Sequence, residues 1–175
     1  LTATTIDVAG NASAASPALT ISIDTTDPAA PSAPDLATAS DSGSSSTDDI
    51  TSNTTPIIAG TAEANATVTL TSDQDGVVGT TTASGTGNWV TTAILGTEGV
   101  HALTATVTDA VGNTSPASTA LSITLDTNAP AVSVDSLETN DDTPPLVGTI
   151  DDATATVSLT VDGQSLVPIN NGATW

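Results

Sequence analysis

Carboxylates are the only charged side chains that this sequence offers in number. It carries 20 Asp and Glu, no Lys or Arg and one His, for a formal charge of -20. Acids that folding brings together have no basic partner here, so they repel one another unless a cation neutralises them. Hard oxygen ligands select calcium among the common ions. Three groups of acids are placed to hold such an ion. Asp24 and Asp27 lie in a proline-rich stretch, with Glu63 and Asp109 in two later turns; Asp126 precedes a second such stretch that is followed by Asp151 and Asp152. Asp41, Asp48 and Asp49 belong to the polar segment SDSGSSSTDDITSN at 40–53. The same composition excludes nucleic acid as a partner, because phosphate binding needs basic side chains to displace counterions, and it disfavours attachment to an anionic membrane surface. No 18-residue apolar run suggests membrane insertion.

Whether those acids meet depends on the elements that carry them. Residues 103–130 read LTATVTDAVGNTSPASTALSITLDTNAP, and residues 1–28 read LTATTIDVAGNASAASPALTISIDTTDP; the two align without a gap, with 16 of 28 positions identical. Each copy holds two alternating apolar runs around Asp-x-x-Gly-Asn, the pattern of a β-hairpin, and ends on Asp-Thr before a proline. The period of 102 residues suits one domain of ordinary size. The chain therefore divides into the last hairpin of a preceding domain at 1–26, a complete domain at 27–128 and the first part of a following domain at 129–175. A start inside a strand pattern, without Met, suggests a piece of a longer polypeptide.

Turn chemistry divides the middle domain into seven strands, at 33–38, 55–61, 66–71, 77–83, 88–93, 101–108 and 117–125. Ala66, Val68 and Leu70 alternate with Thr67, Thr69 and Thr71, and Leu103, Ala105 and Val107 with Thr104, Thr106 and Thr108, so one face is buried and the other is rich in hydroxyls. Short strands with turns every 8 to 12 residues predict an all-β fold, an antiparallel immunoglobulin-like sandwich. Successive connections of such a sandwich alternate between its two ends. The second connection, with Glu63, and the sixth, with Asp109, then fall beside the incoming Asp24 and Asp27. The insertion acids, Asp73, Asp75 and Glu98 fall at the opposite end. The third segment restarts the pattern, with Gly148-Thr149 matching Gly60-Thr61 and Trp175 matching Trp89, but without the 40–53 insertion, which is expected to be a mobile loop or one ordered by an ion.

The ordered set Gly60-Thr61-Ala62-Glu63, Gly87-Asn88-Trp89, Thr106-x-Thr108-Asp109-Ala110-Val111-Gly112-Asn113 and Asp126-Thr127-x-x-Pro130, recurring in part at 7–11 and 24–28, resembles the bacterial Ig-like repeats of large secreted surface adhesins of the repeats-in-toxin type. The resemblance implies export to the bacterial cell surface and a structural role as an extender that supports adhesion or biofilm formation. It also implies neighbouring Ig-like repeats of the same polypeptide as partners, calcium held between or within domains, and no enzymatic activity. Any host, glycan or surface ligand would be contacted by other regions. The departure of Asp27 to Ala129 at the next linker means that the two junctions need not share ligands.

Competing readings of the same residues stay open at this level. Asp109 can simply close its own turn, and Asp24 and Asp126 can be solvated linker acids. Trp89 is expected in the core and His101 at the start of an exposed strand. A Ser-His-Asp triad lacks any Gly-x-Ser-x-Gly elbow to frame it. The outward Thr rows offer a surface for ice or glycans, and partial complementarity of the terminal segments offers a self-assembling filament or surface layer.

Overall fold

A computed structural model describes residues 1–169 and 172–175 of the chain, in two compact units, Leu1–Asp126 and Thr127–Trp175. All regular structure among the described residues is β. In the first unit the strands are β1 (Asp35–Leu36), β2 (Ile50–Thr51), β3 (Ile57–Thr61), β4 (Thr67–Ser72), β5 (Gly76–Thr82), β6 (Asn88–Thr92), β7 (Gly99–Thr108) and β8 (Leu121–Leu125). They form a three-stranded sheet, β1-β3-β6, and a five-stranded sheet, β2-β8-β7-β4-β5. Every pairing is antiparallel except that of β2 with β8.

Alternation fixes which face each strand buries. Val68 and Leu70 of β4 lie directly opposite Val107 and Ala105 of β7, and all four are buried. The residues between them pair as Thr67 with Thr108, Thr69 with Thr106 and Thr71 with Thr104, on the outer face. A one-residue slip would exchange these two rows, so the apolar row specifies the register. Leu36, Ile58 and Trp89 from the smaller sheet and Leu103, Ile123 and Leu125 from the larger complete the core. Trp89 is 2% exposed, as the pattern predicted. It sits opposite Gly60, and a Cβ built on Gly60 would stand 2.5 Å from the indole Cζ2; only glycine leaves room for the ring there.

The 40–53 insertion departs from the expectation of a loop. Ile50 and Thr51 add a parallel strand to the edge of the larger sheet, opposite Thr124 and Leu125. Thr51 is fully buried, and its hydroxyl donates to the Ser40 carbonyl at 2.6 Å. Ser40 Oγ accepts from the Ile57 N–H at 2.9 Å, so the two ends of the insertion are clamped by side-chain hydrogen bonds. The incoming segment is also docked: Pro28, Pro31 and Pro34 are all buried, a spacing of three that matches one side of a polyproline II turn. Ser32 N donates to the Thr61 carbonyl at 2.9 Å, joining this segment to the end of β3.

The second unit contains β9 (Leu159–Val161) and β10 (Gln164–Leu166), paired antiparallel. It repeats the glycine–tryptophan pairing, with Gly148 and Trp175 exchanging backbone hydrogen bonds at 3.1 and 3.2 Å. Here the indole N–H donates to the Ser133 carbonyl at 3.2 Å, whereas the Trp89 indole N–H is buried without a partner.

Candidate functional site

Within the first unit, the acids singled out by the sequence lie at two opposite ends, as the alternation of connections requires. At one end, Asn65 N–H donates to the Ala83 and Ser84 carbonyls, joining the second connection to the fourth. At the other, Asp75 of the β4–β5 turn binds Gly96 and Thr97 of the β6–β7 connection, joining the third to the fifth.

The Asp109 turn at the first end is built from its own residues. Asp109 Oδ1 accepts the N–H groups of Val111, Gly112 and Asn113 at 2.7 to 2.9 Å, and Oδ2 accepts from the Asn113 amide at 2.8 Å. Burial of the carboxylate raises its pKa, but the Asn113 side chain and the three N–H donors outweigh that and leave it lowered. Gly112, at φ +100°, takes the left-handed conformation the turn needs. The Asn113 amide also reaches the Asp24 carbonyl at 3.3 Å, bringing this turn to the incoming chain. Asp24 itself caps a local turn through Thr26 N–H at 3.0 Å. Asp27 and Glu63 are exposed. The contact to the linker is thus made by Asn113, a residue the sequence reading treated only as part of a turn; its signal was its fixed place four residues after the aspartate in both copies.

Further along, Asp126 donates its N–H to the Thr51 carbonyl at 2.9 Å. In the second unit, Asp151 accepts from Ala131 N–H at 2.7 Å, and Asp152 holds both the N–H and the hydroxyl of Thr154, at 2.8 and 2.7 Å. Those Thr154 bonds lower the pKa of Asp152. Each of these acids is engaged by its own neighbourhood. Among the described residues, no three Asp, Glu or His side chains stand together so as to hold a metal ion. The four-carboxylate junction expected for calcium is therefore not preformed.

His101 corrects the reading of an exposed strand start. It is fully buried, with Nδ1 2.8 Å from Ser72 Oγ and Nε2 2.7 Å from the Thr97 carbonyl. A carbonyl can only accept, so Nε2 carries the proton and Nδ1 accepts from the Ser72 hydroxyl in the neutral ring; this tautomer is assigned from the network. Asp75 Oδ2 lies 3.8 Å from the same Nδ1. Serine and aspartate thus crowd one ring nitrogen while a carbonyl takes the other, the reverse of a catalytic relay, in which base and orienting acid use opposite nitrogens. Ser72 is 2% exposed and meets no substrate. The network instead fastens two loops, and the Thr97 hydroxyl followed by the Gly96 N–H lowers the pKa of Asp75.

In the insertion, Asp41 is 8% exposed and Asp49 is partly buried, while Asp48 is exposed and caps Ile50 N–H at 3.3 Å. Asp49 has φ 58°, and its carbonyl accepts from Thr124 N–H at 2.9 Å. On the outer face of the larger sheet, Thr80 and Thr82 of β5 continue the paired threonines of β4 and β7 into three-strand ranks.

Two sheets closing on a largely aliphatic core, with turns fastened by side-chain hydrogen bonds, define a β-sandwich of the immunoglobulin-like class. The profile of the bacterial Ig-like domain family matches residues 28–127, and the chain belongs to that family. No curated protein matches it. No helix among the described residues is long and apolar enough to cross a membrane.

Proposed function

We propose that this chain is an extender segment of a surface-exposed bacterial adhesin, holding neighbouring Ig-like units at a distance rather than transforming or binding a small molecule. The observation that supports the reading most is the docked incoming segment. Pro28, Pro31 and Pro34 are buried and Asn113 reaches the Asp24 carbonyl, so the chain enters the domain as part of it rather than as a free tether. Prolines with fixed φ lose little entropy in such a link, which favours stiffness. The partners in this reading are neighbouring Ig-like repeats, and an adhesive ligand belongs to other regions of the polypeptide.

Calcium enters the proposal as an added brace at the same end, through Asp24, Asp27, Glu63 and Asp109. It is supported by the charge of -20 with no basic side chain and by the approach of the Asp109 turn to the linker. Since the acids are not gathered in advance, binding would have to draw the linker in, and an ion held only by the ordered junction stabilises it by linkage. Small-angle scattering of the 175-residue chain tests both parts. A narrow, extended distance distribution is expected, narrowing further when calcium is added. A broad distribution typical of a flexible tether would overturn the extender reading; an extended one unchanged by calcium or chelator would remove only the brace.

A further inference from the structure

The insertion at 40–53 buries a carboxylate that its neighbours leave unsatisfied. Asp41 is 8% exposed, its Oδ1 has no hydrogen-bond partner, and its Oδ2 receives only a long contact, 3.4 Å, from Asp49 N–H. The side chains offer no cation to answer it: there is no Lys or Arg, and His101 is taken up by Ser72 and Thr97. The charged side chains around the pair are all acids. Asp48 precedes Asp49, Asp35 comes from β1, and Asp126 follows β8 with its N–H on the Thr51 carbonyl, while β3 and β8 themselves carry no titratable side chain. A buried carboxylate oxygen without a donor is costly, and a second carboxylate beside it adds to the cost. A single proton relieves both, because it removes one negative charge and turns one carboxylate into a donor for the other.

We infer that Asp41 and Asp49 take up one proton between them in mild acid, which closes the insertion onto the edge of the larger sheet. The proton comes from solvent through Asp49, which is only partly buried, and its O–H meets the demand at Asp41 Oδ1. Position gives the proton its effect. Asp41 follows Ser40, whose carbonyl holds the Thr51 hydroxyl, and Asp49 precedes β2 and accepts from Thr124 N–H of β8 at 2.9 Å. Two charged carboxylates push these arms of the insertion apart; one shared proton joins them, and β2 covers the β8 edge more firmly. Burial first, and then the charges of Asp41, Asp35 and Asp48, raise the pKa of Asp49. A carboxyl raised in the folded state adds stability that is complete below its unfolded pKa and is lost as pH rises through the folded one. Asp75, Asp109 and Asp152 are lowered instead, and they cost stability only as pH falls below the ordinary 3.8. Stability is therefore expected to pass through a maximum in mild acid. The matching connection in the second unit, ETNDD at 138–142, lacks the insertion, so the device belongs to the middle domain. It is independent of the extender reading, since no junction acid takes part.

Thermal melts of the full chain in chelator, between about pH 7.5 and about pH 4.5, test the pair. The comparison uses Asp49→Asn, Asp41→Asn and, as a control that removes the same charge at the other end of the domain, Glu63→Gln. The wild-type chain and Glu63→Gln should gain about 3 °C in Tm on acidification. Asp49→Asn, whose amide is a permanent donor to Asp41, should begin near the acid value at neutral pH and gain little more. Amide exchange reads the edge directly: protection of the Thr124 and Asp126 N–H groups, relative to the unprotected rate at each pH, should rise about threefold on acidification in the wild-type chain and stay constant in Asp49→Asn. An equal gain in Glu63→Gln and Asp49→Asn would reduce the effect to general relief of a charge of -20 and overturn the shared proton. So would a wild-type chain that only loses stability below neutral pH. Should the variants at 41 and 49 fail to fold, the wild-type chain decides alone: carbon-detected NMR must show the Asp41 and Asp49 carboxyl carbons responding to one common step above 3.8, and separate steps overturn the proposal.

Discussion

The same hairpin occurs twice in this molecule, once covered and once bare. In residues 103–125, Leu103 and Ile123 are 0% exposed; at the equivalent places of the first copy, Leu1 is 80% and Ile21 62% exposed. The hydrogen bonds are nonetheless the same. Ala105 N–H donates to Ser118 Oγ at 3.0 Å and Val107 N–H to Ser115 Oγ at 3.0 Å, and in the first copy Ala3 N–H donates to Ser16 Oγ and Thr5 N–H to Ser13 Oγ at 3.0 Å each. What differs is what packs on the apolar row. Local geometry therefore travels with the sequence, while the energy of the row depends on the sheet laid against it.

Truncating the apolar row gives the largest contrast. Leu103→Ala removes a fully buried side chain between the two sheets and is expected to lower stability by about 3 kcal/mol, whereas Leu1→Ala should change it by less than about 0.5 kcal/mol. Urea unfolding of the full chain, followed by Trp fluorescence, measures both. Similar losses in the two variants would mean that the first copy is covered in solution, and the contrast would fall.

The serine acceptors should give a smaller contrast of the same sign. Ser118 is 9% exposed and Ser115 7%, so Ser118→Ala leaves the Ala105 N–H without its partner in a buried place, a cost of about 1 to 3 kcal/mol. Ser16→Ala frees an N–H that water can reach, and its cost should be lost within the error of the same experiment. Amide exchange refines this: Ala105 is expected to be strongly protected and Ala3 to exchange quickly, despite equal hydrogen-bond lengths. Equal protection would show that the bonds, rather than the cover, set the stability of this element.

Much of this architecture was legible in period-two alternation and turn residues. Val68, Leu70, Leu103, Ala105 and Val107 could be put in the core because one register alone buries them all, and Trp89 because Gly60 and Gly148 precede matching tryptophans. The alternation of connections also put the Asp109 turn at the linker end, where Asn113 reaches the Asp24 carbonyl, and Asp75 at the same end as Glu98, where it binds the neighbouring Thr97. His101 was misread because its row, His101, Leu103, Ala105, Val107, was taken to begin at leucine; the histidine shares the inward parity and is accommodated only because Ser72 and the Thr97 carbonyl, distant in sequence, satisfy both ring nitrogens. The strand Ile50–Thr51 was invisible for a related reason. Two residues in a Ser-rich stretch carry no periodicity, and their pairing with β8 is long-range. Side-chain direction at the ends of connections is likewise not encoded in parity, which brought acids to the correct end without bringing them together.

The smallest expected contrast lies in the aspartate turn, where both copies make the same bonds. Asp7 accepts the N–H groups of Ala9 and Asn11 and the Asn11 amide, and its pKa is lowered chiefly by the Asn11 side chain. At Asp109 the opposing effect of burial is the largest single influence, although the net direction is also downward. Both carboxyls should therefore titrate below the ordinary value of 3.8, with Asp109 the higher of the two, as carbon-detected NMR can measure. The sign of the consequence follows from linkage: a carboxyl with a depressed folded pKa contributes stability above its unfolded pKa and loses it as pH falls through the folded value. Asp109→Asn should accordingly weaken the domain at neutral pH and flatten its acid limb below about pH 4, while Asp7→Asn leaves that limb unchanged. Identical titration of the two would mean that nothing beyond the five-residue turn tunes these acids. A higher Asp109 would show the covering sheet acting on the one part of the hairpin that forms without it.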